Sequence, residues 1–365
     1  MGKISRRDHG IDLLETLAIF FVLAYHCSFY DFNFIGNKLP IYYFRYFFRT
    51  ILSTCVPLFF FANGFLVFHR KFDLKKHVKK ILRFMLLAVV WGILTIVILM
   101  FIRGDYLSSK EILRILWRWQ GGWIGHLWFL GAFVSYYLIF PLLKIVFDYN
   151  RRVFLYFVVV CGIFTFGRVF INNIWDVCVT QIIHSTATNR DIDLLGIFNI
   201  FDPFRAPYYY AVVYSCIGGL VYEYKDQLMS VPVKKRNIYA LLAIVLSCTF
   251  LWLLGISYSK VNGAVWDVVW EGYDTVPTLV NILALYVLVL NFNHRNVVIE
   301  TVSKNTLGIY LIHEIILDIL GPMVMRHSSL RTLWFNIIFT IVFVLLCTSV
   351  AEFIKRIPII KHLLI

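Results

Sequence analysis

Apolar runs of helical length alternate with short polar connections along almost the whole chain. A helix needs about 20 residues to cross a hydrocarbon layer of ~30 Å at 1.5 Å per residue. Ten stretches meet that length: 12–30, 50–68, 81–102, 123–147, 153–171, 207–224, 238–256, 274–292, 305–323 and 332–353. The third and tenth are unambiguous. Tyr208, Tyr209, Tyr210 and Tyr214 dilute the sixth, while the eighth and ninth carry Asp274, Asn281, His313 and Glu314. The pattern predicts an all-α fold, a polytopic integral membrane protein of about ten transmembrane helices in one bundle. Residues 1–365 form a single membrane domain, with no stretch suited to a second, soluble one and no visible repeat.

Composition agrees: 60% of the 365 residues are hydrophobic and 15% charged, against roughly 45–50% and about 25% in soluble domains. Collagen-like, disordered and disulfide-framework classes are excluded together, since glycine and proline are modest and the seven cysteines are scattered through apolar runs. No CxxC or CxxH spacing offers a metal site, so no metal is expected.

The formal charge of +14 reports topology rather than nucleic acid, because the basic residues sit in clusters between spans. Twenty of the 35 Lys and Arg fall on the side of the N-terminus, 69–80, Arg151–Arg152, 225–237, Arg295, Lys304 and the tail, and twelve on the other. Both termini are thus expected in the cytoplasm, and the N-terminal apolar run, which lacks a small-x-small cleavage site, reads as a retained first helix. The connections 31–49 and 172–206 are long and aromatic and fall outside, where amphipathic pieces lying in the interface would explain them.

Ionisable side chains inside spans are costly and face a bundle interior or a wet cavity, so chemistry is sought there first. Glu15 and His26 share the first helix; eleven steps of ~100° bring them within some 20° of the same face, with Cα atoms ~16 Å apart. His26 is the main candidate, since a neutral imidazole can take a proton from an alcohol and return it to a leaving group. Its bland counterpart is a histidine that only packs helices. His126, in His126-Leu127-Trp128-Phe129-Leu130, stands at the outer start of the fourth span, where Trp128 can stack on a sugar ring or simply belong to the aromatic belt. His313 and Glu314 lie in the ninth span as neighbours ~100° apart, so they need not act on one atom, and Glu314 is expected to play a structural role. Lys79, Lys80 and Arg83 can clamp a phosphorylated cofactor or anchor the helix at the cytoplasmic face. No Walker loop, nucleophile elbow or HExxH segment occurs, which argues against a nucleotide-driven pump, a serine hydrolase and a zincin.

Several segments in order resemble the membrane-bound acyltransferase-3 family. They are Gly10-Ile11-Asp12-Leu13-Leu14-Glu15-Thr16-Leu17-Ala18-Ile19 leading to Ala24-Tyr25-His26-Cys27, Val56-Pro57-Leu58-Phe59-Phe60-Phe61 with Asn63-Gly64-Phe65-Leu66, and the His126 segment. Asn305-Thr306-Leu307-Gly308-Ile309-Tyr310-Leu311-Ile312-His313 and Arg356-Ile357-Pro358 complete the likeness. The resemblance implies a multipass enzyme of a bacterial cytoplasmic membrane that moves an acyl group, commonly acetyl, from cytoplasmic acyl-CoA onto extracytoplasmic glycans or glycolipids. By the same resemblance His26 matches the catalytic histidine, Lys80 and Arg83 a donor-side basic pair, and His313 a recurrent histidine. One departure stands out: the family often has Arg or Lys eleven residues before the histidine, where this chain has Glu15. A carboxylate cannot bind CoA phosphates, so either Arg83 or Lys80 takes over or the donor site is altered. The expected set is therefore His26 and Glu15 for catalysis, Lys80 and Arg83 for acetyl-CoA, His126 and Trp128 for the acceptor, and His313 as a further candidate. A transporter or flippase for a polysaccharide or lipid-linked sugar is the rival reading, and CoA binding discriminates the two.

Overall fold

The computed structural model describes residues 7–118, 122–183 and 209–358. The N-terminal basic residues Lys3 and Arg6 and most of the long connection 172–206 lie outside the described residues. The described chain runs through α1 (His9–His26), α2 (Pro40–Arg49), a 3-10 turn (Thr50–Thr54), α3 (Cys55–Val67), α4 (Leu74–Arg103), α5 (Ser109–Arg118) and α6 (Trp128–Tyr149). It continues through α7 (Arg151–Gly162), α8 (Arg168–Val177), α9 (Tyr209–Glu223), α10 (Lys225–Ser230), α11 (Val233–Asn262), α12 (Val276–Val289), α13 (Val297–Met325) and α14 (Leu333–Arg356), with no strand among the described residues.

Side-chain caps open several of these helices. Asp73 accepts from Lys76 N at the start of α4, Asn150 from Arg152 N and Val153 N before α7, and Thr332 from Phe335 N before α14, each satisfying amides that a first turn leaves orphaned. Gly104 and Gly263, at φ 71° and 67°, end α4 and α11 in the left-handed conformation that glycine adopts without strain.

Among the described residues, eight segments are long and apolar enough to cross a membrane: His9–His26, Pro40–Val67, Leu74–Arg103, Gly125–Tyr149, Arg151–Ile182, Val233–Asn262, Val297–Met325 and Leu333–Arg356. The chain is an all-α, multi-pass membrane protein. One of the ten expected spans, the eighth, is corrected to a shorter helix: α12 has 14 residues, while α9 keeps Tyr209, Tyr210 and Tyr214 within it from the first described residue onwards. The polar residues that diluted the eighth run are the reason. Asp274 and Thr275 stay in the preceding turn, where Thr275 caps α12, and Pro277 stands in the first turn of α12. In the expected connection 31–49, α2 buries Tyr46 and Arg49 and exposes Ile41, Phe44 and Phe48, and it runs on through the 3-10 turn and α3 as part of the Pro40–Val67 segment. The connection expected at 172–206 begins instead as helix, through α8 and a wider turn ending at Ile182.

The chain divides into two compact units, Met1–Tyr25 with 31–69 and 150–296, and His26–Tyr30 with 70–149 and 297–365. The first is built on close contact between α3 and α9. A Cβ at Gly64 would fall inside the contact distance of the Ser215 carbonyl, and one at Gly218 inside that of the Phe61 carbonyl. Ser215 Oγ donates to the Phe60 carbonyl oxygen across the same seam at 3.0 Å. Helices in lipid gain no hydrophobic drive from meeting each other, so small residues that let backbones touch supply the attraction. Elsewhere in this unit the Tyr25 hydroxyl donates to Asp267 Oδ2 at 2.6 Å, and the buried Arg49 guanidinium lies 4.0 Å above the Phe32 ring.

In the second unit α13 packs against α14 and α4, and α4 against α6. Asn305, from the segment that carried the resemblance, donates its amide to Glu352 Oε1 at 2.7 Å and ties α13 to α14. At the other end of α13, Asp318 accepts a bond from Arg103 Nε at 2.7 Å, and that guanidinium lies 5.2 Å from the centre of the Trp123 ring.

Candidate active site

His26 is the last residue of α1 and belongs to the second unit with the turn that follows it. That turn is held by α14: the Phe29 amide donates to Asn336 Oδ1 at 3.2 Å, and the Phe29 and Phe339 rings meet edge to face at 5.2 Å. Asn336 is itself buried, so the end of α1 has a fixed backbone from which the imidazole projects.

The partner of that imidazole comes from α13. His26 Nδ1 stands 2.7 Å from Glu314 Oε1, with both side chains about a quarter exposed (28% and 25%). At hydrogen-bond length to a carboxylate, Nδ1 carries the proton and donates, which puts the ring lone pair on Nε2. The same carboxylate oxygen is 3.6 Å from His313 Nε2. His313 is fully buried, and its Nδ1 is 2.6 Å from the Tyr310 carbonyl oxygen one turn earlier, so this ring also donates through Nδ1. The His26 and His313 rings are 4.9 Å apart.

His126 joins the group. Its ring lies 5.7 Å from that of His313 at 88° and 6.2 Å from that of Tyr310. The Nε2 atoms of His126 and His313 are buried with no hydrogen-bond partner, although buried polar groups are ordinarily satisfied. A carboxylate-oriented imidazole beside two imidazole nitrogens without hydrogen-bond partners is an arrangement that can take up and return a proton. Among the described residues, His26, His313 and Glu314 are also the one group with spacing that suits a metal ion, their ligand atoms lying within 4.8 Å of one another. The 2.7 Å between His26 Nδ1 and Glu314 Oε1 is a direct hydrogen bond; two donors sharing a tetrahedral ion at ~2.0–2.1 Å would stand farther apart.

The remaining expected residues are placed as follows. Trp128 opens α6 two residues beyond His126 and meets Phe129 edge to face at 6.3 Å. Lys80 donates to the Tyr137 hydroxyl at 2.7 Å and lies 4.5 Å from the centre of that ring. Arg83 is exposed and has no hydrogen-bond or ion-pair partner among the described residues. Glu15 is half-buried in the first unit, eleven residues before His26 along α1. Sequence reasoning missed Glu314 as the partner of His26, because adjacent helical residues diverge and the pair's neighbours on other helices were not legible. His77 was missed too: it is buried, with Nε2 2.7 Å from the Tyr137 carbonyl oxygen and its ring stacked on that of Tyr137 at 10°. Two signals were present, a histidine directly before a glutamate in an apolar run and a histidine within a basic cluster.

The fold defines a multi-pass membrane protein, and one of its helical units holds an imidazole–carboxylate pair that can take up and return a proton. A family model described as an acyltransferase domain matches residues 8–352, and the chain belongs to that family, acyltransferase-3. No curated protein and no solved structure matches the chain.

Proposed function

We propose that this acyltransferase moves an acyl group, acetyl in the simplest case, from cytoplasmic acyl-CoA to a hydroxyl of an extracytoplasmic polysaccharide or glycolipid. The membrane is the cytoplasmic membrane of a bacterium. The observation that carries the reading is the 2.7 Å bond between His26 Nδ1 and Glu314 Oε1. With Nδ1 committed to the carboxylate, Nε2 takes the proton of the acceptor hydroxyl as its oxygen attacks the thioester carbonyl. The tetrahedral intermediate then collapses, the C–S bond breaks, and the CoA thiolate takes the same proton back from His26. Alternatively Nε2 attacks the thioester itself, releases CoA and passes the acyl group to the hydroxyl from an acyl-imidazole. Glu314 supports both routes, since its negative charge stabilises the imidazolium or the developing positive charge on the ring. Glu15, in the first unit, has no step here. His126 and Trp128 hold the acceptor, and the unsatisfied His126 and His313 nitrogens are acceptors for its other hydroxyls.

On the donor side, Arg83 is the better phosphate ligand, because Lys80 is already bonded to Tyr137. Arg83→Ala is expected to raise the KM for acyl-CoA about ten-fold, the worth of one charged hydrogen bond, with kcat within about two-fold; initial rates at varied donor concentration measure it. Chelation is expected to change nothing: transfer measured after dialysis against EDTA should equal that before it.

The reading is tested with purified protein in nanodiscs, acetyl-labelled CoA and envelope glycans. Label recovered on the glycan as an alkali-labile ester supports it. A protein that neither binds CoA nor transfers label, yet alters glycan export when deleted, would leave the transporter reading in its place.

A further inference from the structure

A groove of about 650 Å³ lies in the first unit, between α2 and α11. Its walls are aromatic and aliphatic: Tyr43, Phe44 and Phe47 come from α2, and Trp252, Leu253 and Ile256 from α11. Specific contacts hold these walls together. Trp252 Nε1 donates to the Tyr43 carbonyl oxygen at 2.9 Å, and the Tyr43 and Phe47 rings each meet the Trp252 ring edge to face, at 6.5 and 6.4 Å. The Tyr43 ring also stacks on that of buried Phe34 at 4.8 Å.

Two lysines, Lys38 and Lys260, complete the lining, and among the described residues no carboxylate joins them. Both are exposed, and neither has a hydrogen-bond, ion-pair or ring partner among the described residues. An ammonium group offers donors only. Like charges on one groove add their potentials, so an anion entering it is attracted by both.

Depth along α11 separates the charged lining from the apolar one. The helix starts at Lys234, Lys235 and Arg236, a basic cluster that the positive-inside rule puts at the cytoplasmic boundary. About twenty residues, or ~30 Å, carry it from there across the hydrocarbon layer, as far as about position 256. Trp252, Leu253 and Ile256 thus lie in the outer part of that layer. Lys260 stands ~12 Å farther out than Trp252, at the height of lipid headgroups.

The occupant that fits carries negative charge at the water boundary and hydrocarbon below it. A metal ion has the wrong sign, and a free sugar has neither property. An acidic peptide following the apolar wall downwards would leave its backbone groups unpaired in hydrocarbon. An anionic phospholipid supplies both parts from one molecule, a phosphate for the lysines and an acyl chain for the aromatic wall. The groove volume falls within the ~300–1,000 Å³ usual for small-molecule sites, room for one headgroup and the upper part of a chain.

We infer that this groove binds one anionic phospholipid of the surrounding bilayer, with Lys38 and Lys260 on its phosphate and Phe44, Phe47, Trp252 and Leu253 along its chain. The inference is independent of the proposed acyl transfer.

The test uses the full-length protein in phosphatidylcholine nanodiscs doped with a phosphatidylglycerol that carries a diazirine in its acyl chain. After irradiation, labelled peptides are mapped by mass spectrometry. Label should fall on segments 40–47 and 252–260 and saturate as the probe is increased. The double variant Lys38→Gln, Lys260→Gln should lower the affinity read at those segments about twenty-five-fold, five-fold for each lysine removed. Both side chains are exposed, so the variant should elute as the wild type does in size exclusion. Lys110→Gln, at an exposed lysine outside the groove, should leave the labelling unchanged.

Equal labelling by a phosphatidylcholine probe with the same chain would overturn the inference, as would unchanged affinity in the double variant. Displacement of the lipid by glycerol 3-phosphate, which has the charge and no chain, would overturn it in favour of a soluble phosphate. Cross-links from these segments to a second copy of the chain, in place of lipid label, would give the groove to a protein interface.

Discussion

His26→Ala is expected to lower kcat for acyl transfer by about 10³-fold or more, with the protein still folded and still binding acyl-CoA. A positioned general base contributes ~10²–10⁴, and the alternative route through an acyl-imidazole loses its nucleophile altogether. The loss should fall on kcat, because the imidazole gains its strongest interaction as the proton moves, not when substrate binds. Glu314→Gln should reproduce most of this loss. The amide keeps nearly the same shape, but it no longer offers a charge to the imidazolium, and it can turn its NH2 towards Nδ1 and favour the wrong tautomer. In a related triad geometry the equivalent acid-to-amide change costs ~10⁴; here about 10²-fold or more is expected, since His313 Nε2 stands 3.6 Å from the same carboxylate oxygen and leaves a second neighbour in place.

The second large effect is structural. Gly218→Val should destabilise the first unit. The new side chain has nowhere to go: its Cβ falls on the Phe61 carbonyl of α3 and close to the Phe65 amide, so the clash is with backbone and cannot be relieved by a rotamer change. Relief requires α3 and α9 to separate along the seam that Gly64 and Ser215 share, and overpacking of this kind costs about 1–3 kcal/mol or more. Expected results are loss of the monodisperse peak in fluorescence-detected size exclusion and a melting temperature lowered by several degrees. Gly162→Ala is the matched control. Its Cβ would meet nothing within 4 Å, and helix propensity favours alanine by up to about 1 kcal/mol, so that variant should melt at or slightly above the wild type.

These two expectations differ in how far the sequence alone reached. Gly64 was quoted within Asn63-Gly64-Phe65-Leu66, but nothing along the chain said that its Cβ position belongs to the backbone of residues some 150 positions away. The membrane helices were legible because the ~20-residue apolar run is imposed by bilayer thickness and acts locally. Where polar residues interrupt the run, at Asp274–Thr275, the length of the span was misjudged, since capping and turn chemistry decide the boundary.

The candidate site shows the same division. His26 was legible as an ionisable residue at the end of an apolar helix, and Glu15 stood out on the same face by helical period. Yet period relates residues on one helix only, and the carboxylate beside the His26 ring comes from α13, nearly three hundred residues later. The ~100° between His313 and Glu314 suggested that they serve different atoms. The glutamate side chain is long enough to bring one oxygen near both rings, which an angle between Cα vectors does not convey. His126 was legible only as a boundary histidine; its place beside His313 follows from how α4, α6 and α13 meet.

The proposed transfer turns on Glu314 orienting His26, and turnover measures that most directly. Wild type, Glu314→Gln and His26→Ala are compared in one assay with saturating acetyl-labelled CoA and acceptor, alongside CoA binding to each. Turnover of Glu314→Gln at least about a hundred-fold below wild type, with His26→Ala at background and CoA binding retained in both, is the predicted result. Turnover of Glu314→Gln within about two-fold of wild type would contradict it.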